Sequence, residues 1–148
     1  VLTIESYIKR IQREIDRLTF KTEIKPLQNK YTVNGDFRFK VILKNQSNNS
    51  GTLELFEIGL PFYTSVHSDN EFEFIPDTVY QDTSLKTVSI LPNDSLIFEI
   101  NLLENARYWD GNKLGQYRFK NSGLYQFSVF SPDQKIGRER VKFYINEK

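Results

Sequence analysis

The apolar positions of the chain change period once, near residue 20. Over the first 18 residues, Ile4, Ile8, Ile11, Ile15 and Leu18 recur at alternating four- and three-residue steps. Glu5, Lys9, Arg10, Arg13, Glu14, Asp16 and Arg17 take the other faces, which is the pattern of an amphipathic helix. Thr3 is placed to cap its start. A helix this short is marginal alone in water, so its isoleucine stripe needs burial against something. With two and a half heptads, three surfaces are open to it: the rest of the domain, a second copy of the chain, or an upstream domain. Docking on the rest of the domain, with Ile8 and Ile15 buried, is the first expectation.

From Phe20 onward the period is two. Residues 20–24 alternate, and Pro26 and Asn29 then break the pattern. Asn34-Gly35 introduces residues 36–44, where Phe37, Phe39, Val41 and Leu43 share one face. A polar loop over 45–51 leads to a strand over 52–58, punctuated by Gly59 and Pro61. An irregular aromatic stretch with Phe62 and Tyr63 follows, then short strands over 71–75 and 78–80. Residues 86–90 and 95–102 read as a strand pair around Pro92-Asn93-Asp94, where proline presets the first central dihedral of a turn. Residues 105–122 read as a long connection with a short strand at 116–119. Strands over 123–130 and 138–145 close the chain around a turn at 131–137, and in the last of them Val141, Phe143 and Ile145 face one way.

Seven or eight short strands, turn signals between them and a single helix before them predict a mainly β chain folded as an antiparallel β-sandwich. The expected division is an amphipathic helix over 1–19 and the sandwich over 20–148. An up-and-down barrel would need longer and more even strands. At 148 residues such a domain buries about 70% of its unfolded surface, so its core needs no disulfide or metal. The absence of cysteine removes thiol chemistry, zinc–thiolate sites and iron–sulfur clusters. Apolar runs are too short for a membrane-spanning helix. The chain opens at Val1 without a signal-peptide pattern, as expected of a processed or excised product.

The net charge of +1 hides a segregation. Residues 69–110 carry nine acids against Lys86 and Arg107, a net of −7, and from 113 onward eight bases face Asp133, Glu139 and Glu147, a net of +5. Opposite segments within one domain are expected to neutralise each other rather than to meet nucleic acid.

Three motifs in order carry a resemblance. Gly35-Asp-Phe-Arg-Phe-Lys-Val-Ile-Leu-Lys-Asn45 resembles the "Gly-Asp, alternating apolar, Leu-x-Asn" second strand of bacterial exported immunoglobulin-like domains. Leu91-Pro-Asn-Asp-Ser-Leu-Ile-Phe98 is similar to their "Leu-x-Pro-Gly-x-Ser" turn and strand, with Asn93 in place of glycine. Ser122-Gly-Leu-Tyr125 resembles their entry to the penultimate strand. The arrangement is similar to the immunoglobulin-like domain that accompanies deuterolysin-type metallopeptidases and, more loosely, to bacterial intracellular proteinase inhibitors. It covers residues 20–148 and leaves the helix unmatched. The resemblance implies an immunoglobulin-like sandwich with an accessory or binding role, and the lack of any His-Glu-x-x-His segment puts proteolysis out of reach. Within such a sandwich Tyr125 stands where a corner tyrosine bonds a nearby backbone group through its hydroxyl.

Candidate chemistry is sparse. The single histidine, His67, sits in Ser65-Val-His-Ser-Asp69, read as a polar loop, and no Gly-x-Ser-x-Gly elbow presents a nucleophile. Paired carboxylates such as Glu71 and Glu73 are explained by one solvent face of a strand. Asp69, Asn70, Glu71, Asp110 and Asn112 are oxygen ligands without the spacing of a calcium loop, so no metal and no cofactor is assigned. Sequons occur at Asn45, Asn48 and Asn93. The segment Tyr108-Trp109-Asp110-Gly111-Asn112 offers Tyr108, Trp109, Asp110 and Asn112 as a binding platform, with a plug over the open end of the sandwich as its structural alternative.

The expected function is therefore a non-catalytic protein-binding or accessory module of an exported or cell-surface protein, inhibitor-like if a rigid loop protrudes at 45–51 or 108–114. A carbohydrate-binding module, with aromatic residues on one open face, is the first alternative. An assembly subunit that self-associates through Ile4, Ile8, Ile11, Ile15 and Leu18 is the second. The partner expected is another protein, with no nucleic acid and no membrane span.

Overall fold

A computed structural model of the chain describes residues 3–57, 59–68, 73–75, 84–103, 116–119, 121–137 and 139–147. In chain order its elements are α1 (Ile4–Thr19), β1 (Phe20–Pro26), β2 (Tyr31–Thr32), β3 (Arg38–Asn45), β4 (Gly51–Phe56) and β5 (Tyr63–Ser68). There follow β6 (Glu73–Ile75), β7 (Leu85–Ile90), β8 (Ser95–Asn101), β9 (Gln116–Arg118), β10 (Gly123–Phe130) and β11 (Arg140–Asn146). The protein is mainly β, with one amino-terminal helix and a sandwich-like set of antiparallel sheets.

One sheet has the order β1-β3-β8 and the other β2-β11-β10-β5, in which only the short β2 runs parallel to its neighbour. β4 pairs with β7 and β6 with β9 as separate two-stranded ladders. The two larger sheets meet through aromatic rings. Phe39 of β3 lies 4.9 Å from Phe127 of β10 and 5.1 Å from Phe143 of β11, centroid to centroid. The alternation seen in residues 36–44 has this cause: Phe37, Phe39, Val41 and Leu43 are all buried in that layer. Tyr125 is buried between Phe119 and Phe143, and its hydroxyl donates to the Asn121 carbonyl at 2.9 Å. This is the corner arrangement expected of it.

Several expectations are corrected. The described residues hold eleven strands rather than seven or eight, because β2, β6 and β9 are pieces of two or three residues. Residues 65–68, read as a polar loop, form most of β5, paired along β10 from Tyr63↔Phe130 to Ser68↔Tyr125. Thr64, Ser65 and Val66 are all buried there, so neighbouring strands override a polar sequence. The proposed pairing of 86–90 with 95–102 does not occur: β7 joins β4 while β8 joins β3. The turn between them does form, with the Asp94 amide donating to the Leu91 carbonyl at 3.0 Å and Asn93 at φ 61°. Asparagine tolerates that left-handed conformation, which suits it to this turn position. The strand expected at 78–80 lies outside the described residues, as does most of the connection expected at 105–122.

α1 begins as anticipated, with the Ser6 amide donating to Thr3 Oγ1 at 3.1 Å. Its stripe does not dock. Ile4 is 80% exposed, Ile8 59%, Ile11 43%, Ile15 49% and Leu18 70%, so the expectation that Ile8 and Ile15 are buried on the sandwich fails for the single chain. The reason lies at the other end of the helix. α1 runs into β1 without a loop, and Gln46 bonds to the Leu18 and Thr19 carbonyls at this junction hold the direction in which the helix leaves the sandwich.

Candidate functional site

The described residues concentrate their polar organisation where α1 meets the sandwich, and Asn45 is the centre of it. This side chain is fully buried at the end of β3. Its Nδ2 donates to the Asn49 carbonyl and to the Ile90 carbonyl, each at 2.8 Å. Its Oδ1 accepts from the Ser47 amide at 2.9 Å and from the Ser47 hydroxyl at 2.7 Å. The backbone of Asn45 adds two bonds to the 91–94 turn, donating to the Asp94 carbonyl and accepting from the Asn93 amide. One asparagine thus ties together the end of β3, the loop 46–50, the end of β7 and the turn before β8. Both donor hydrogens and the acceptor oxygen of its side chain are thus engaged inside the fold.

Gln46 fastens the helix to this loop. Its amide donates to the Thr19 carbonyl at 2.9 Å, and its Nε2 donates to the Leu18 carbonyl at 3.0 Å. These carbonyls belong to the last turn of α1, where no intrahelical donor is available. Beside them, the Phe20 ring packs on Gly51, where an added Cβ would stand 2.6 Å from the ring. A side chain at 51 would therefore displace the junction.

The second wall is the turn at 131–137. Asp133 Oδ1 accepts from the Ser131 hydroxyl at 2.7 Å, and Oδ2 accepts from the Glu54 amide at 2.8 Å. Lys135 Nζ donates to the Thr52 carbonyl at 2.8 Å. Two side chains of the turn therefore satisfy the edge of β4 that β7 does not pair, which protects that edge from another strand. Between this turn and α1 lies an open groove of about 1080 Å³. Phe20, Tyr63 and Phe130 contribute aromatic surface to it, while Arg13, Asp16 and Glu139 are among its charged residues. The arrangement can hold a polar chain against aromatic surface between charges of both signs.

The described residues bring no reaction chemistry together. His67 is exposed on β5, with Nε2 3.4 Å from Ser65 Oγ and Gln126 opposite it in the ladder. Among the described residues there is no group of three or more His, Cys, Asp or Glu that could hold a metal ion. The resolved proton-affinity shifts belong to Tyr31 and Tyr125, whose phenols burial pushes up. Both serve the core. No described helix is long and apolar enough to cross a membrane. Tyr108, Trp109, Asp110 and Asn112 lie outside the described residues, as do Asp69, Asn70 and Glu71.

Sequence reasoning missed Asn45, Gln46, Asp133 and Lys135 as organising residues. Asn45 alone left a signal, as the final residue of the Leu43-Lys-Asn45 strand ending.

No family model and no curated protein matches the chain. Among solved structures it is similar to part of a β-glucosidase from Listeria innocua in complex with glucose, at 9% identity and a TM-score of 0.47, covering 86% of this chain and 16% of that one. It is similar to part of a β-D-glucoside glucohydrolase from Trichoderma reesei at 13% identity and a TM-score of 0.36, covering 86% and 19%. A β-glucosidase from Kluyveromyces marxianus in complex with glucose gives 16% identity and a TM-score of 0.36, covering 85% and 15%. The chain thus spans under a fifth of these glycosidases. At such TM-scores the likeness has no bearing on activity or ligand.

Proposed function

We propose that this chain is a non-catalytic protein-binding or accessory module of an exported or cell-surface protein, and that it presents the loop 46–50 in an inhibitor-like manner. The observation that carries this reading is the buried Asn45 side chain, which holds the loop from within while Asn48, Asn49 and Ser50 stay exposed. A loop already ordered in the free protein loses less conformational freedom when it binds, so more of its contact energy appears as affinity. The groove beside α1 supplies charges of both signs at the rim of such a contact. Carbohydrate binding rests on Tyr108 and Trp109, and no described feature favours it.

The test is titration of bacterial serine and metallo-endoproteinases with the intact chain. Stoichiometric loss of proteinase activity, relieved by Asn48→Lys at the loop tip, supports the inhibitor-like reading. Cleavage of the chain between residues 46 and 50, or a fully active proteinase at excess chain, removes it. A saturable change of Trp109 fluorescence on adding glycans moves the assignment to carbohydrate binding.

A further inference from the structure

We propose that α1 joins copies of this chain, three at a time, into a short helical bundle. The stripe is narrow. In heptad terms Ile8 and Ile15 take the a position and Ile4, Ile11 and Leu18 take d, and every other residue of α1 except Tyr7 is polar. A helix that beds on a globular core needs a broader apolar face, and one that lies on a lipid surface pairs a basic face with bulky Trp, Phe or Leu. A strict a/d stripe, isoleucine except at Leu18, is instead the seam of helices wound together.

The surroundings of the helix leave that seam open. Gln46 fixes the end of α1 at Leu18 and Thr19, so the helix is held as a rod about 24 Å long rather than as a loose tail. Leu18, beside the junction, is 70% exposed and Ile4 at the far end 80%, so the sandwich shadows neither end of the stripe.

Charge does not oppose a second copy. The e positions are Glu5, Gln12 and Thr19 and the g positions within the helix are Tyr7 and Glu14. Setting g of one copy against the following e of its neighbour brings Tyr7 to Gln12 and Glu14 to Thr19, so no like charges meet. Lys9, Arg10, Arg13 and Arg17 all fall at b, c and f, outside the seam. The number of copies follows from side-chain shape. Isoleucine at both a positions, Ile8 and Ile15, and at two of the three d positions, Ile4 and Ile11, favours three or more helices over two.

Sedimentation equilibrium of the intact chain from micromolar to millimolar concentration tests this. The mass should climb from the 17.5 kDa of one chain towards a threefold value. Ile8→Asp combined with Ile15→Asp should hold it at one chain, with the strand signal in circular dichroism unchanged, and Arg10→Glu at a c position should associate like the unaltered chain. A one-chain mass at every concentration, a plateau at two chains, or equal loss of association in Arg10→Glu overturns the proposal, as does binding to anionic vesicles without any change of mass. The readout is mass, so its failure is distinct from failure of the loop reading, which is read by proteinase inhibition.

Discussion

α1 and β3 carry equally regular apolar patterns, and the fold treats them in opposite ways. Ile4, Ile8, Ile11, Ile15 and Leu18 stand in solvent, while Phe37, Phe39, Val41 and Leu43 are within 1% of complete burial. Periodicity states which face of an element is apolar and leaves open what will cover it. For β3 the cover comes from the chain itself, since β10 and β11 bring Phe127 and Phe143 onto Phe39. For α1 the junction at Thr19 and Gln46 fixes the direction of the helix, and the single chain leaves its stripe uncovered.

The sharpest way to break this contrast is to cut one residue from each pattern. Phe39→Ala removes a ring fully enclosed by Tyr31, Phe127 and Phe143, and should cost about 3–5 kcal/mol in denaturant unfolding. Ile8→Ala, at a position 59% exposed, should stay within about 0.5 kcal/mol at concentrations where the chain is single. If Ile8→Ala proved as costly as Phe39→Ala, the stripe would be part of the monomer's core and the contrast would be void.

Next in size comes Asn45→Ala, which should destabilise by about 1–3 kcal/mol because the buried Ile90 carbonyl loses its side-chain donor and the Ser47 amide its acceptor. Hydrogen exchange should then quicken at Ser47 and in the 91–94 turn while the centre of β3 stays protected. Equal quickening along the whole of β3 would show that Asn45 supports the sheet rather than the loop.

The limits of sequence reading follow from the same physics. β1, β3, β4, β10 and β11 were legible because a two-residue period over five or more residues leaves few alternatives. β5 was not, since Thr64, Ser65, His67 and Ser68 hide a strand whose burial comes from β10, some 60 residues away. The partners of β7 and β8 were misread because a turn signal states that the chain reverses, not which sheet it re-enters. Of the candidate site, the rigidity of loop 46–50 and the edge of β4 depend on Asn45 reaching Ile90 and on Asp133 reaching Glu54. Those separations of 45 and 79 residues leave no local pattern. The stripe itself was fully legible, and its solvent exposure was not.

Tyr125→Phe is a smaller perturbation. It keeps the ring between Phe119 and Phe143 and removes the hydroxyl with its bonds to the Asn121 carbonyl and the Ser68 side chain, for about 0.5–1.5 kcal/mol. It also bears on pH. Burial raises the phenols of Tyr31 and Tyr125 above the ordinary 10.0, so the folded state resists an ionisation that the unfolded chain accepts. Their contribution is fully present below the unfolded value and is lost as pH rises through the folded one. Stability should therefore hold to about pH 10 and fall beyond it, less steeply in Tyr125→Phe. An identical alkaline slope in that variant would place the effect elsewhere.

Gln46→Ala should have the smallest effect on global stability and the most direct one on the contrast between helix and sheet. The variant removes the Nε2 bond to the Leu18 carbonyl but keeps the backbone bond to Thr19, and because the lost bond is exposed, water replaces part of it. A cost near the lower end of the usual range, about 0.5 kcal/mol, is expected. The local consequence should be larger than the global one. With one of two ties gone, exchange should quicken at the Phe20 amide, which donates to the Asp16 carbonyl, and at the Gln46 amide, while Val41 in the core keeps its protection. That outcome would show α1 to be a separately held rod whose direction is set by two hydrogen bonds. A fall in melting temperature as large as that of Asn45→Ala, with exchange quickened throughout β1 and β3, would instead make helix and sandwich one cooperative unit.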